Sequence, residues 1–336
     1  MRQTSTTGGT VFPPIPTRCR SADGEAIAEA ADILRAGGLV AFPTETVYGL
    51  GADATSDKAV AKLYAAKGRP SFNPLIAHVE DLSAAKRQGV FTKDAEVLAR
   101  AFWPGPLTLV LPVTFDVTVC ALARSGLETI ALRVPAHKVA RALLATVGLP
   151  LAAPSANISG HVSPVTASHV MDDLEGRIDF VLDGGSSPVG VESTIISCLD
   201  ETPKLLRPGG IAREAIETVL GRKLADAVPS SGAPVAPGQL ASHYAPRAKL
   251  RLDALSLLPG EAGLDFGGRF EPTDRVLDLS SKGDLIEAAA HLFSHLRRLD
   301  SMGSATIAVA PIENKGLGEA INDRLRRAAA ERPIAV

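Results

Sequence analysis

Aromatic residues are scarce in this chain, 4% of 336, which counts against the broad stacking surfaces that grip single-stranded nucleic acid. An excess of either charge is missing too. A formal net charge of −2 argues against tight, sequence-independent binding to nucleic acid, which takes many Lys and Arg contacts to phosphate; local basic patches are still compatible with it. Cysteines number three, Cys19, Cys120 and Cys198, far apart in the chain. They make neither a disulfide framework nor a zinc spacing, and a reducing cytoplasm fits. No apolar run approaches the roughly 20 residues that cross a bilayer, so no membrane association is expected. Through about Arg20 the chain is rich in Thr, Gly and Pro without the apolar centre of a signal peptide, and residues 1–20 are expected to form a mobile extension.

What is present is a large aliphatic content. Hydrophobic residues make up 46% of the chain, so the core must be built from Ala, Val, Leu and Ile, and the length exceeds what one core usually serves. Helix and strand patterns alternate through the first two thirds, which predicts an α/β domain with a mixed sheet. Ser21 or Asp23 caps an Ala-rich helix ending at Gly37-Gly38, Leu39 to Phe42 reads as a strand, and Asp57 caps a helix that ends at Lys67. Further strands are expected over 75–79, 107–111, 129–134, 149–153, 180–183 and 194–198, with helices near 94–102, 138–147 and 167–174. From about Ala225 to Pro246 the pattern fails in a Pro/Gly/Ser-rich linker. Strand and helix patterns then resume, with helices over 284–299 and 317–330.

Chemistry concentrates in a few segments. Lys67-Gly68-Arg69-Pro70-Ser71-Phe72-Asn73-Pro74 puts two cations and an amide in one turn, echoed downstream by Pro154-Ser155-Ala156-Asn157. A compact ammonium beside a planar guanidinium holds polyphosphate by charge and by geometry, although K-x-R alone is more often a solvated turn. Phe42-Pro43-Thr44-Glu45-Thr46-Val47-Tyr48-Gly49-Leu50 reads as a polar loop leaving a strand, where ligand groups commonly sit. Arg133 interrupts the apolar run Ile130 to Pro135, so it faces either a ligand carboxylate or an internal salt-bridge partner. Arg207, in Leu205-Leu206-Arg207-Pro208-Gly209, is either a ligand contact or a surface arginine before a turn.

In chain order PTETVYGL, KGRPSFNPLIAH, LRVP, PSANISG, ESTI, RPG and SHYAP resemble the Sua5/YrdC family, the L-threonylcarbamoyladenylate synthases of tRNA t6A biosynthesis. The similarity runs from about Leu39 to Arg247 and more loosely beyond. It implies a YrdC-like twisted mixed sheet with a concave active face over 21–224, a linker or lid over 225–247, and a small Rossmann-like Sua5 domain over 248–336. It also implies a reaction, the nucleotidyl transfer that joins L-threonine, bicarbonate or CO2 and ATP into threonylcarbamoyl-AMP with release of pyrophosphate. The product would serve t6A37 modification of ANN-decoding tRNAs, passing to a threonylcarbamoyl transferase of the TsaD/Kae1 type, so contact with tRNA would be indirect.

By the same resemblance Lys67, Arg69, Ser155 and Asn157 form the catalytic set that holds phosphates and any Mg2+. Arg69, Asn73, Thr129, Ser155, Ser163, Arg207 and His243 match ATP contacts, and Thr46, His78, Arg133, Ala153 and Ser193 match threonine contacts. His243 and Tyr244 match a lid; a turn that docks the second domain on Tyr244 is the alternative, and the two are compatible. Mg2+ usually keeps most of its waters and bridges phosphates, so no carboxylate cage is expected. The sequence identifies no base for the amine.

Other patterns carry less. Gly49-x-Gly51-x-x-Ala54 approximates a dinucleotide fingerprint but stands away from its strand. His291 and His295 have metal-ligand spacing without an acidic partner or third ligand, so a solvated helix face is expected. Ser155 lacks a nucleophile elbow and Lys67 a P-loop. His78 fits equally a hydrogen-bonded core histidine. A duplex-RNA-binding module and a carbamoyl-adenylate enzyme of the hydrogenase-maturation type are the alternative functions, disfavoured by weak charge and few aromatics for the first and by missing accessory domains for the second.

Overall fold

The structure is a computed structural model that describes residues 16–226 and 243–331. The chain enters as β1 (Arg18–Ser21) and α1 (Gly24–Arg35), then β2 (Val40–Pro43), β3 (Tyr48–Asp53), α2 (Asp57–Lys67) and β4 (Ile76–His78). Two helices follow, α3 (Leu82–Lys86) and α4 (Lys93–Phe102), then β5 (Leu107–Pro112), β6 (Thr129–Arg133), α5 (Lys138–Val147) and β7 (Leu151–Ala152). The first sheet is completed through α6 (Ala167–Leu174), β8 (Phe180–Asp183), β9 (Thr194–Ser197), β10 (Lys204–Arg207), α7 (Arg213–Leu220) and β11 (Ala225–Asp226). Its eleven strands run in the order β1-β8-β2-β3-β7-β4-β6-β5-β9-β10-β11. Parallel pairs such as β4 with β6 and antiparallel pairs such as β5 with β6 make it a mixed sheet.

Helix ends follow capping chemistry. Asp23 accepts from the Ala26 N–H and starts α1. For α2 the cap is Ser56, whose hydroxyl accepts from Ala59 N, not Asp57; Asp57 is the first helical residue, where its charge favours the positive end of the helix dipole. The expected extension over 1–20 is also corrected, because Arg18–Ser21 pairs in parallel with β8; residues 1–15 lie outside the described residues. A second correction concerns the loop after Phe42. Only the turn Thr44–Val47 is loop, and Tyr48–Asp53 returns antiparallel to β2. The glycines of the apparent fingerprint lie in this strand, and a Cβ on Gly51 would stand 2.8 Å from the Phe42 ring, so that glycine serves close packing.

Past the linker, the second domain contains β12 (Lys249–Arg251), β13 (Ala262–Asp265), β14 (Val276–Asp278), α8 (Leu285–Ser301), β15 (Thr306–Val309) and α9 (Leu317–Ala329). Its four strands are all parallel, in the order β12-β15-β13-β14, which is the Rossmann-like arrangement expected. His291 and His295 on α8 are half-buried rather than solvated. Their rings stack at 4.9 Å, and His291 Nδ1 lies 2.9 Å from the Leu279 carbonyl.

The two domains share a core. Val47, Val162, Val165 and Val191 of the first pack in one cluster with Tyr244, Leu292, Phe293 and Leu296, and fully burying each large apolar side chain stabilises by about 1.5–3 kcal/mol. Arg324 and Lys67 rank among the largest fully buried side chains. Buried charges need partners, and those partners mark the site. Among the described residues no helix is long and apolar enough to cross a membrane.

Candidate active site

The β2–β3 turn forms one wall. Thr44 and Thr46 share a hydroxyl contact of 2.8 Å, and Thr44 Oγ1 donates to the Val47 carbonyl, which holds the turn tight. Between them Glu45 accepts from Arg133 Nη2 at 2.6 Å and from the Ala136 N–H at 3.0 Å. Burial would raise the Glu45 carboxyl, but Arg133 and these hydrogen bonds prevail and hold it below the usual carboxylate range. Arg133 therefore has the internal partner that the sequence left open, and it still lines the cavity, with its buried Nε unpaired among the described residues. His78 stands beside it through the β4–β6 register. Burial, with Arg133, pushes its imidazole down to about 3, so it is a neutral hydrogen-bonding group.

The second wall is the Ser155–Asn157 loop. Leu50 N donates to the Pro154 carbonyl and Ala156 N to the Tyr48 carbonyl, tying the loop to β3. Lys67 Nζ donates to the carbonyls of Ser155 and Asn157, which commits two of the ammonium's three donors to shaping the loop. Burial drives its amine well below the ordinary lysine range. Asn157 Nδ2 donates to the carbonyls of Ile158 and His161, an arrangement that turns its Oδ1 away, buried and without a described partner. Arg69 donates to the Asn73 and Pro74 carbonyls and has no carboxylate partner among its described bonds. Burial lowers its guanidinium to about 10. Both side-chain polar atoms of Asn73 are buried and unpaired among the described residues.

A third wall comes from the β9–β10 hairpin. Arg207 donates through Nε and Nη2 to the Ser193 carbonyl, and through Nη2 also to Ser193 Oγ. The approach is close because Gly209 has no side chain; a Cβ there would lie 2.4 Å from the Ser193 backbone. Ser193 Oγ also meets Thr108 Oγ1 at 2.8 Å, and Glu192 accepts from Ser163 Oγ at 2.5 Å. His243 and Tyr244 close the top. Tyr244 takes the left-handed backbone conformation, φ +63°, stacks on Phe293 at 5.6 Å and is buried, while burial pushes His243 down to about 3. The linker residues 227–242 lie outside the described residues.

The walls line a cavity of about 50 Å3. It brings together Thr46, His78, Arg133, Ala153 and Ser193 with Arg69, Ser155, Arg207, His243 and Tyr244. Lys67 and Ser163 stand behind the lining, touching Ser155 and Glu192, while Asn73 and Asn157 sit in the supporting loops. Thr129, at the opposite end of β6 from Arg133, is not part of the lining. A larger cleft of about 520 Å3 lies elsewhere, beside Lys86, Arg87 and Gln88. Gln88 there donates to Thr118 Oγ1 and accepts from the Thr118 and Val119 N–H groups, and among the described residues no buried side-chain polar atom lining this cleft is without a partner.

Residues 32–209 match the Sua5/YciO/YrdC family described as Telomere recombination, and residues 211–330 match the threonylcarbamoyl-AMP synthase C-terminal domain. The chain belongs to the Sua5/YrdC family. It is 43% identical to the threonylcarbamoyl-AMP synthase of Bacillus subtilis, over 92% of this chain and 94% of that protein. The identity to the Pyrococcus abyssi synthase is also 43%, over 91% and 95%. Among solved structures, P. abyssi Sua5 complexed with L-threonine superposes with a TM-score of 0.85 at 39% identity, covering 94% of this chain and 97% of that one. A P. abyssi variant with an adjacent His-Tyr pair replaced by alanine gives 0.86 at 38%, covering 93% and 96%.

Three residues of this Sua5-family site escaped sequence reasoning. Glu45 and Glu192 had a usable signal, since each is a carboxylate in an otherwise apolar or hydroxyl-bearing segment that a neighbouring arginine must answer. Arg324 had none. It is one of several arginines on an amphipathic helix, and only the packing of α9 against the first domain reveals that it is the buried one.

Proposed function

We infer that this chain is an adenylyltransferase that makes threonylcarbamoyl-AMP from L-threonine, bicarbonate or CO2, and ATP, releasing pyrophosphate. The observation that carries the reading is one cavity lined by three arginines, Arg133 beside Thr46, His78 and Ser193 for a carboxylate and Arg69 and Arg207 for phosphates, in a chain similar along nearly its whole length to named synthases. Arg133 takes the threonine carboxylate, with Thr46, His78, Ala153 and Ser193 around the amino acid. Arg69, Ser155 and Arg207 take the triphosphate, with Asn73, Thr129, Ser163 and His243 as further ATP contacts. The threonine amine adds to CO2 and loses a proton to give a carbamate. A carbamate oxygen then attacks the α-phosphorus and pyrophosphate leaves in line, so the protein's task is positioning and charge neutralisation.

Mg2+ fits this chain as a phosphate-borne ion. Among the described residues no group of three metal-ligating side chains exists, and Glu45 and Glu192 are both engaged by arginines. The Asn157 Oδ1, fixed by its amide's two donations, and the Ser155 hydroxyl are the oxygens that would hold it. Bound there, the ion would neutralise phosphate charge. His243 and Tyr244 line the cavity and act as a lid that excludes water from the mixed anhydride. The setting is the cytoplasm, and the consumer a threonylcarbamoyl transferase of the TsaD/Kae1 type acting on tRNA. Incubation with ATP, L-threonine and labelled bicarbonate tests the reading: a threonine-dependent labelled adenylate and matching pyrophosphate are expected, and pyrophosphate without threonine would contradict it.

A further inference from the structure

Arg324 comes from the C-terminal domain, is 0% exposed, and crosses the domain boundary to the nucleotide side of the cavity. Its Nε donates to Glu192 Oε2 at 2.7 Å, its Nη1 to Asp323 Oδ2 at 2.6 Å, and its guanidinium carbon sits 5.2 Å over the Tyr244 ring. Glu192 lines the cavity together with Arg207. Its other oxygen accepts from Ser163, so both oxygens are occupied and both point to partners other than Arg207. Among the described residues Arg207 instead bonds only Ser193. A carboxylate this deeply buried must have a cation, and Arg207 is close enough for the two to bias each other's ionisation.

We propose that Arg324 is a positioning residue of the nucleotide site: by taking up the charge of Glu192 from behind, it leaves the Arg207 guanidinium available to the phosphates of ATP. The C-terminal domain thereby sets the charge of a cavity that its own sheet does not line. Without Arg324, Glu192 turns to Arg207, and the anion site loses one effective positive charge. The inference rests on the reading of this cavity as the ATP site.

The test is calorimetric titration of the full-length protein with ATP and, separately, with L-threonine. Arg324→Met is expected to weaken ATP binding by on the order of tenfold to a hundredfold, as for loss of one charge-assisted contact, with threonine affinity within about twofold of the parent because Arg133 keeps its own partner. The double variant Arg324→Met/Glu192→Gln is expected to recover most of the lost ATP affinity, since the misplaced charge is gone; Arg324→Lys, which keeps the charge, should fall between. Should Arg324→Met fail to fold, the comparison of Arg324→Lys with Arg324→Lys/Glu192→Gln carries the same prediction. Unchanged ATP affinity without Arg324, a parallel fall in both affinities, or no recovery in the double variant would each overturn the proposal and leave Arg324 as interdomain packing alone. A parent protein that binds no ATP would instead overturn the functional reading, and the inference with it.

Discussion

Two buried glutamate–arginine pairs each contribute one member to the lining of the cavity, and they are wired in opposite senses. In Glu45–Arg133, at 2.6 Å, both partners belong to the first domain and the cation lines the cavity. In Glu192–Arg324, at 2.7 Å, the anion lines the cavity and the cation arrives from α9 of the second domain. Removing one member of such a pair leaves the other charge buried and unanswered, which costs more than the pair itself contributes. On the proposed reading of the site, one pair presents its cation to an amino-acid carboxylate, while the other answers a negative charge that would otherwise face a polyphosphate.

The largest effect should come from a cation outside both pairs. Among the described residues Arg69 bonds only carbonyls and has no carboxylate partner, and Arg69→Ala should lower pyrophosphate release at saturating ATP by about a hundredfold to a thousandfold. Near-parental turnover in the folded variant would show that the remaining arginines suffice. Next in size, Arg133→Ala should weaken threonine binding by about tenfold to a hundredfold, from about 1.5–3 kcal/mol of charge-assisted hydrogen bonding. The contrast between the two pairs breaks if calorimetry finds the loss in ATP affinity instead.

Lys67 gives a smaller, purely structural comparison. Lys67→Met strips the Ser155 and Asn157 carbonyls of their donor, and leaving a buried acceptor unsatisfied costs about 1–3 kcal/mol. Urea unfolding should show a lower midpoint at unchanged slope, and an unchanged midpoint would mean that the loop holds its shape without the lysine.

A further effect is a slope in pH, carried by two histidines that line the cavity. His78 beside Arg133 and His243 beside Glu192 are both pushed from 6.5 down to about 3 by burial. Between those values the unfolded chain binds protons that the folded chain refuses, so stability is complete above about 6.5 and falls as pH drops toward 3. The slope approaches about 1.4 kcal/mol per pH unit for each histidine. His78→Asn and His243→Asn should each remove one share of it, measured as urea midpoints between pH 7 and pH 5. A variant that retains the parent's full slope would show that its histidine already takes up a proton in the folded state.

Much of the fold was legible because periodicity and caps act locally. The strand at 180–183 and the helices at 138–147 and 167–174 stand where alternation and spacing put them. β3 was missed because Thr44–Val47 and two glycines read as loop, while the strand exists through pairing with β2 and β7. β13, containing Gly263, likewise depends on its neighbours β14 and β15. In the site, the motif residues lining the cavity were visible as cations and hydroxyls in apolar frames. Lys67 was visible as a charge but not as a loop brace, because that role lies in two carbonyls some ninety residues away.

By itself the sequence determined the chemistry on offer: an α/β chain with two domains, two cation-bearing turns, an arginine in an apolar strand, and a His-Tyr pair after a Pro/Gly-rich segment. These follow from side-chain type and short-range spacing, which one chain segment expresses alone. Tertiary structure decided which charges are spent and which are left for a ligand. Arg133 and Glu45 are 88 residues apart, and Arg324 and Glu192 are 132 apart. No local pattern selects one arginine of α9 for burial; that choice is made when the second domain packs against the first and a desolvated carboxylate requires the nearest cation.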